Sequence, residues 1–387
     1  MGRKSSIKIL HTADWHIGLS SWKTQKEVER LAEQEECLER MLEVAKSEKV
    51  DLLLHAGDLF HHSQSPPREA IRVAVKAIFE FSQLAPFVWV VGNHDWYAVE
   101  ALRNFFPEEV LIIKDFEVRH LEELGVSIFP LPYLRLAQFL GNDCDGSRQD
   151  RAQESLHGRM ENWKEKRKSS FWNILVAHAT IEELAFHYLE ANADREVFLK
   201  KGDIPSFFHY GAFGHLHGLI PLEGPFPIYY PSSLVLDSFK QAGRSGGGFV
   251  VVELEEGERA RVTPYFFESS CLLSFDLERR LEEREIREMI KQKVGPKRNY
   301  VRLRLREEVM DSEWCRSLKG LQGENWEVVV VEVLSEEREL PEERESVEGG
   351  TIPELFARFC EVNQFSEEVV RLFEVYYQRA LEEGETG

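Results

Sequence analysis

Five short stretches of the chain put polar residues of metal-ligand type directly behind apolar runs of strand length. IKIL leads into Asp14 and His16, DLLLHA into Asp58, FVWVV into Asn93, NILVA into His178, and YGAF into His215 and His217. Two divalent ions about 3.5 to 4 Å apart can clamp a phosphodiester, activate a water and stabilise the departing oxygen. Such a centre needs carboxylates, neutral imidazoles and one residue shared by both ions. Asp14 and His16, two positions apart, share one side of a strand end. Asp58 follows Gly57, which allows a tight turn, and its two oxygens suit it to bridging. Asn93 offers a neutral carbonyl oxygen, and His178, His215 and His217 offer imidazole nitrogen. These seven ligands carry only two negative charges, so a metal pair held by them stays net positive and favours an anionic phosphate substrate. Mixed oxygen and nitrogen donors suit manganese, iron or zinc better than calcium or an all-oxygen magnesium site.

Three further residues have roles beside the metals. His94, next to Asn93, is placed to face the scissile phosphate as an acid for the leaving oxygen. Asp95 is placed to orient His94. His61, three residues after Asp58, is within reach of the phosphate. His11, His55 and His62 break the spacing and are read as non-ligands, as are His187 and His209. Trp15, Trp22 and Trp96 are read as packing or rim residues.

These motifs need strand ends to carry them. Short apolar runs bounded by glycine and polar residues read as buried strands, and ligand sites gather beyond the carboxyl ends of such strands. Amphipathic stretches at 28–45 and 68–83 lie between the runs, the second opened by Pro66-Pro67. The alternation implies a layered α/β domain flanked by helices. Residues 143–170 are polar and read as a loop plus an exposed helix. FPIYYPSS, GGGFVVVELEE and RVTPYFFESS read as consecutive strands of a β-meander. A βαβαβ order then follows, ending in YVRLRLR and WEVVVVEVL, which implies a small α/β domain. The expected division is 1–268, 269–335, a polar linker at 336–352, and two apolar-faced helices within 353–387 that dock on a partner.

Composition bounds the class. The chain has 387 residues, 43% hydrophobic and 30% charged, which is globular and long enough for two or three domains. No apolar run is long enough to span a bilayer, and MGRKSSIKIL has no signal-peptide core. Five scattered cysteines without CxxC spacing argue against a disulfide framework and a cysteine zinc site and favour a reducing cytoplasm. The net charge of −20 counts against nucleic acid when taken alone. It is concentrated at the end: 18 basic and 29 acidic residues in 266–387 give −11, leaving −9 for residues 1–265. The densest basic stretch holds Lys291, Lys293, Lys297, Arg298, Arg302, Arg304 and Arg306. It reads equally as a phosphate-contacting patch and as a solvated charged face.

DWH, GDLFH, GNHD, the His after NILVA, and GHLH together resemble the calcineurin-like metallophosphoesterase superfamily. The histidine at the end of GDLFH narrows the resemblance to the SbcD-like nucleases of DNA double-strand-break repair. That resemblance implies a metallophosphoesterase β-sandwich with a small α/β capping domain and a helical tail. It implies one ion on Asp14, His16 and His217 and another on Asn93, His178 and His215, with Asp58 bridging. His94 matches the transition-state histidine and His61 the histidine tied to exonuclease action. It further implies manganese, exonuclease and endonuclease action on DNA ends, hairpins and single strands, and association with the nucleoid. Homodimerisation is implied through helices near 68–83 and 99–106. Residues 353–387 match the helix-loop-helix that binds a coiled-coil ATPase of the SbcC type. Two other readings remain: a phosphoesterase for small phosphoesters or phosphoproteins, and a scaffold that bridges DNA ends. One departure is Pro231-Ser232-Ser233, where the family often has Gly-Ser.

Overall fold

The computed structural model describes residues 4–19, 27–136, 148–185, 196–243, 246–306 and 312–334. The chain divides into two units, Met1–Val333 and Leu334–Gly387. The linker and tail expected at 336–387 lie outside the described residues, as do Trp22 and His187.

The first unit is built on two six-stranded sheets. One sheet contains β1 (Ser6–Thr12), β2 (Leu52–His55), β3 (Phe87–Val90), β4 (Val110–Ile113), β11 (Gly248–Glu255) and β12 (Arg261–Phe266), in the order β12-β11-β1-β2-β3-β4. The other contains β5 (Arg119–Leu121), β6 (Val126–Leu131), β7 (Trp172–His178), β8 (Tyr210–Gly214), β9 (Leu219–Leu222) and β10 (Ile228–Pro231), in the order β5-β6-β7-β8-β10-β9. β1 to β4 run parallel, as do β6, β7 and β8, while β11 is antiparallel to β1.

Period-two alternation explains the layering. Ile7, Ile9, Leu52, Leu54, Val88 and Val90 point inward to meet Ile128, Ile174, Val176 and Ala212 of the facing sheet. Their neighbours Leu10, Leu53, Phe87 and Trp89 point outward under α1 (Glu27–Glu48), α2 (Arg68–Ser82) and α3 (Trp96–Leu102). Phe129, Leu131, Leu175 and Phe213 leave the second sheet on its far side and meet α4 (Arg148–Lys166). Strands covered on both faces read as continuous apolar runs, which is how they appear in the sequence. The fold is therefore mixed α/β, with two large mixed sheets flanked by helices.

Two expectations are corrected. The helix within 143–170 is not exposed: Ala152, Leu156, Met160 and Trp163 are buried at helical spacing against the second sheet. The β-meander is broken, because β10 pairs with β8 and β9 in the second sheet while β11 and β12 pair in the first. Strand pairing is set by distant partners, and local alternation does not carry it.

A third sheet follows: β13 (Cys271–Leu277), β14 (Asn299–Arg306) and β15 (Trp326–Leu334), with α5 (Glu283–Lys291) and α6 (Ser312–Leu318) between them. Phe275, Val301, Leu303 and Leu305 pack under Ile286, Ile290, Trp314 and Leu318. The arginines of this module are already paired: Arg298 with Glu327, Arg302 with Glu332, Arg304 with Asp276 and Arg306 with Glu278. These four arginines form a salt-bridged face, and a phosphate at them has to compete with carboxylates. Among the described residues, no helix is long and apolar enough to cross a membrane.

Candidate metal centre

All five motifs meet at the carboxyl ends of parallel strands. β1, β2 and β3 deliver Asp14, His16, Asp58, Asn93 and His94 from one sheet. β7 and β8 deliver His178, His215 and His217 from the other. The centre thus spans the open ends of both sheets. Asp14, Asp58, His16 and His178 are buried at its base, while Asn93, His94, His61, His215 and His217 are half-buried at its mouth.

Ligand-type atoms fall into three overlapping groups, each within 4.8 Å: Asp14 with His16 and His217, His16 with Asp58 and His94, and Asp58 with His178 and His215. Asp58 faces both sides. Its Oδ2 lies 3.6 Å from His16 Nε2 and its Oδ1 lies 3.5 Å from His178 Nε2. Asn93 joins the second side, with its Oδ1 2.9 Å from His178 Nε2. Asp14 links the sides as well, since its carboxylate accepts the His215 amide at 3.0 Å.

The outer hydrogen bonds fix which ring nitrogen faces inward. His178 donates from Nδ1 to the Ala56 carbonyl at 2.7 Å, which leaves Nε2 for the centre. His215 donates from Nε2 to Glu196 at 3.0 Å, which leaves Nδ1 inward, 3.2 Å from His178 Nε2. His217 donates from Nδ1 to Asp237 at 2.7 Å, which leaves Nε2 inward, 3.1 Å from His16 Nε2. Lone pairs of His178, His215 and Asn93 converge on one side, and those of His16 and His217 on the other. Acceptors this close repel unless a cation or a proton sits among them, so the donor set fits a pair of divalent ions.

Protonation answers to the same geometry. Burial pulls His178 down, but Asp58 outweighs it and pushes the imidazole up to about 9. His217 is likewise pulled down by burial and pushed up to about 10 by Asp237. Burial opposes ionisation of Asp58, yet His178 holds its carboxyl well below the usual range. Asp14 is raised, chiefly by burial. His16 is held well below its ordinary value by burial and by His217.

The backbone is shaped for this purpose. Asp14, His16, Asp58 and His215 all have positive φ, at 52°, 43°, 60° and 99°. Two glycines are sterically required. A Cβ on Gly57 (φ 93°) would lie 2.9 Å from Gly92 Cα and would strike the His178 ring. A Cβ on Gly92 would run into the Asp58 carboxylate. Ser232, at the departure from Gly-Ser, takes φ 86°, so this side chain accepts a conformation that favours glycine.

His94 donates from Nδ1 to the His61 carbonyl at 2.7 Å, and its amide donates to Asp58 Oδ1 at 2.8 Å. Asp95 does not orient His94, contrary to expectation. Its carboxylate accepts the amides of Asp58, Leu59 and Gly92 at 2.9, 2.8 and 2.8 Å and the Trp89 indole at 3.0 Å. It splints the loops that carry Asp58 and Asn93. Burial and the Asp58 charge push Asp95 up to about 6. The His61 ring stacks 6.3 Å from His94, and burial and His62 push it down to about 4. His11 and His55 are buried and join none of the three ligand groups, and His209 accepts the Asn173 amide. Trp15 is fully buried.

Glu196 and Asp237 escaped the sequence reading. Each comes from a segment remote from the histidine it holds, and neither sits in a recognisable motif. Only Asp237, following the apolar run LVL, repeats the pattern of the ligand motifs.

Several solved structures are similar to this chain. A phosphopantetheinyl hydrolase from Mycobacterium tuberculosis shares 14% identity over 58% of this chain and 88% of its own, with a TM-score of 0.36. The E. coli phosphoesterase Yfce shares 14% over 67% and 98%, with a TM-score of 0.30. An archaeal phosphodiesterase shares 14% over 67% and 100%, with a TM-score of 0.31. Likenesses at this level say nothing about substrate. The sequence itself is decisive: residues 7–219 match the calcineurin-like phosphoesterase family, and the match covers more than half the chain. With the five strand-end motifs gathered at one centre inside that span, the chain belongs to the calcineurin-like phosphoesterase family.

Proposed function

We propose that this metallophosphoesterase is an SbcD-like, manganese-dependent DNA nuclease that hydrolyses phosphodiester bonds at broken ends. The observation that carries the reading is the placement of the GDLFH histidine: the His61 ring lies 5.8 Å from His16 and 6.3 Å from His94, at the mouth of the metal centre. The α/β module of β13–β15, which lies beyond the family match, supports a substrate larger than a small phosphoester. In this reading residues 1–268 form the nuclease domain, 269–335 the capping domain, and 353–387, beyond the linker, the contact with an SbcC-type ATPase. Exposed Phe79, Tyr97 and Phe105 support a homodimer.

Asp14, His16 and His217 would hold one ion and Asn93, His178 and His215 the other, with Asp58 shared between them. Bound there, the ions supply charge neutralisation for the phosphate and a water acidified enough to attack it. The chain does the rest. Asp95 fixes the main chain of Asp58, and Glu196 and Asp237 hold two imidazoles in the ligating tautomer. His94 commits Nδ1 to the His61 carbonyl, which leaves Nε2 to pass a proton to the departing oxygen.

Incubation with manganese and linear duplex DNA, beside a His94→Gln variant, tests this. DNA degradation that the variant loses supports the nuclease. Turnover of a chromogenic phosphate ester with intact DNA overturns it in favour of a small-substrate phosphoesterase, and DNA retained but uncut favours a scaffold.

A further inference from the structure

The imidazoles on the two sides of the metal centre are held by different parts of the molecule, although the Asp14 carboxylate also accepts the His215 amide. His178 is held by Ala56 and His215 by Glu196, both outside the β13–β15 module. The Asp14–His16–His217 side is held by two pieces that also touch that module.

The first piece is the segment after β10. The Leu234 amide donates to the Asp14 carbonyl at 3.2 Å. Gln241 donates to the His217 carbonyl at 2.6 Å, and its Oε1 accepts the amides of Asp237 and Ser238 at 2.9 and 3.2 Å. Asp237 accepts the hydrogen bond from His217 Nδ1 at 2.7 Å. Within the same short segment, Leu236 and Phe239 pack on Leu272 of β13 and Tyr300 of β14. The Arg302 guanidinium lies 5.0 Å over the Phe239 ring, and the Gly243 amide donates to the Leu272 carbonyl at 3.1 Å.

The second piece is α1. Fully buried Gln34 donates to the carbonyls of Trp15 and His16 at 3.0 and 2.8 Å and accepts the Gly18 amide at 3.0 Å. Arg30, one turn earlier, lies 5.1 Å over the Tyr300 ring and donates to the Leu236 carbonyl. Glu33 accepts the Ser270 amide at the start of the module.

We propose that the Asp14–His16–His217 subsite is coupled to the β13–β15 module through Asp237 and Phe239, so that its cation affinity depends on how that module is seated, while the Asn93–His178–His215 subsite does not share this dependence. Asp237 is the positioning residue, and Phe239 is the contact that seats it. The inference rests on the two-metal reading above. It makes the module's placement a determinant of one ion's occupancy, so anything that shifts the module adjusts one half of the centre.

The experiment titrates the full chain, stripped by chelation, with manganese, and follows free ion by electron paramagnetic resonance. Asp237→Asn and Glu196→Gln mark the two subsites, each expected to weaken its own by about 10- to 100-fold. Phe239→Ala should weaken the subsite marked by Asp237→Asn by about 2- to 30-fold, and Phe239→Leu should retain most of the affinity. The Asp237→Asn, Phe239→Ala double variant should fall by less than the product of the single effects. Unchanged affinities in Phe239→Ala, or equal loss at both subsites in both Phe239 variants, would overturn the coupling. Uptake of fewer than two ions by the unsubstituted chain would overturn the two-metal reading instead. The coupling is then judged from imidazole nitrogen resonances of the stripped chain: Phe239→Ala must move the His217 signals and leave those of His178, and failure to do so refutes it.

Discussion

His55 is a buried imidazole with no protein partner on either ring nitrogen, enclosed by Trp15, Phe87 and Trp89 at ring distances of 4.7, 6.4 and 6.3 Å. Burial, reinforced by His178 and His11 and opposed by Asp58, pushes it from 6.5 down to about 3. The unfolded chain therefore takes up a proton as pH falls through about 6.5, and the folded chain takes up none until about 3. Stability is present above the unfolded value and is lost on the way down. Between pH 7 and pH 5 the unfolded state alone is protonated at this position. The loss from His55 is about 25-fold in the folding equilibrium, or about 2 kcal/mol. His178 and His217, whose values are raised, contribute in a different window, above 6.5. Replacing His55 with Leu, close in volume and without ring nitrogens, should remove this component. Urea unfolding of both proteins with chelator present, at pH 7 and pH 5, supplies the test. The variant should gain about 2 kcal/mol on the parent between the two values. Parallel losses in the two proteins would show that the imidazole is not kept neutral by its enclosure, and the reasoning would be refuted.

Other outcomes follow from the packing. Gly92→Ala drives a methyl group into the Asp58 carboxylate, so metal-dependent phosphoester hydrolysis should fall by about 100-fold or more, as expected when a ligand is displaced by an ångström, with the fold retained by circular dichroism. Trp163→Ala opens a cavity beside Phe129 and Phe208 under α4, and should lower unfolding free energy by about 3 to 5 kcal/mol in a denaturant titration. Cys37 is buried and its thiol is pushed far up, first by burial and then by Glu33. Peptide-level mass spectrometry after alkylation at pH 8 should find half-buried Cys315 modified in the native protein and Cys37 modified only after unfolding.

The ligand motifs were legible because each is local. An apolar run ends and a residue with no reason to follow a buried strand appears. Asp14, Asp58, Asn93, His178 and His215 all announce themselves in this way, and a glycine turns the chain immediately before Asp58, Asn93 and His215. What holds them is not local. Glu196 reaches His215 and Asp237 reaches His217 across gaps whose closure only the tertiary fold decides. Asp95 was legible as a functional residue, but its role was not. Adjacency suggested His94, whereas its side chain turns to four donors spread over two loops and a strand. The same limit explains α4. Its arginines, lysines and glutamates dominate the composition, and only the four-residue spacing of Ala152, Leu156 and Met160 betrays a buried face.

The positive φ angles show why a local rule fails where function begins. Glycine is the residue that fits such a backbone without penalty, yet Asp14, His16, Asp58 and His215 occupy four of these positions. Each conformation costs about 1 to 3 kcal/mol and persists only where surroundings over-determine it. The surroundings do so here. Asp95 accepts the Asp58 amide, Gln34 donates to the His16 carbonyl, Leu234 donates to the Asp14 carbonyl, and Asp14 accepts the His215 amide. These bonds come from α1, the loop after β3, the segment after β10 and the opposite strand tip. Glycine at any of the four positions would relax the backbone and remove a candidate metal donor at once. The strain is therefore tied to the ligand set itself, and the buried polar residues that bear it belong to the centre as much as the imidazoles do.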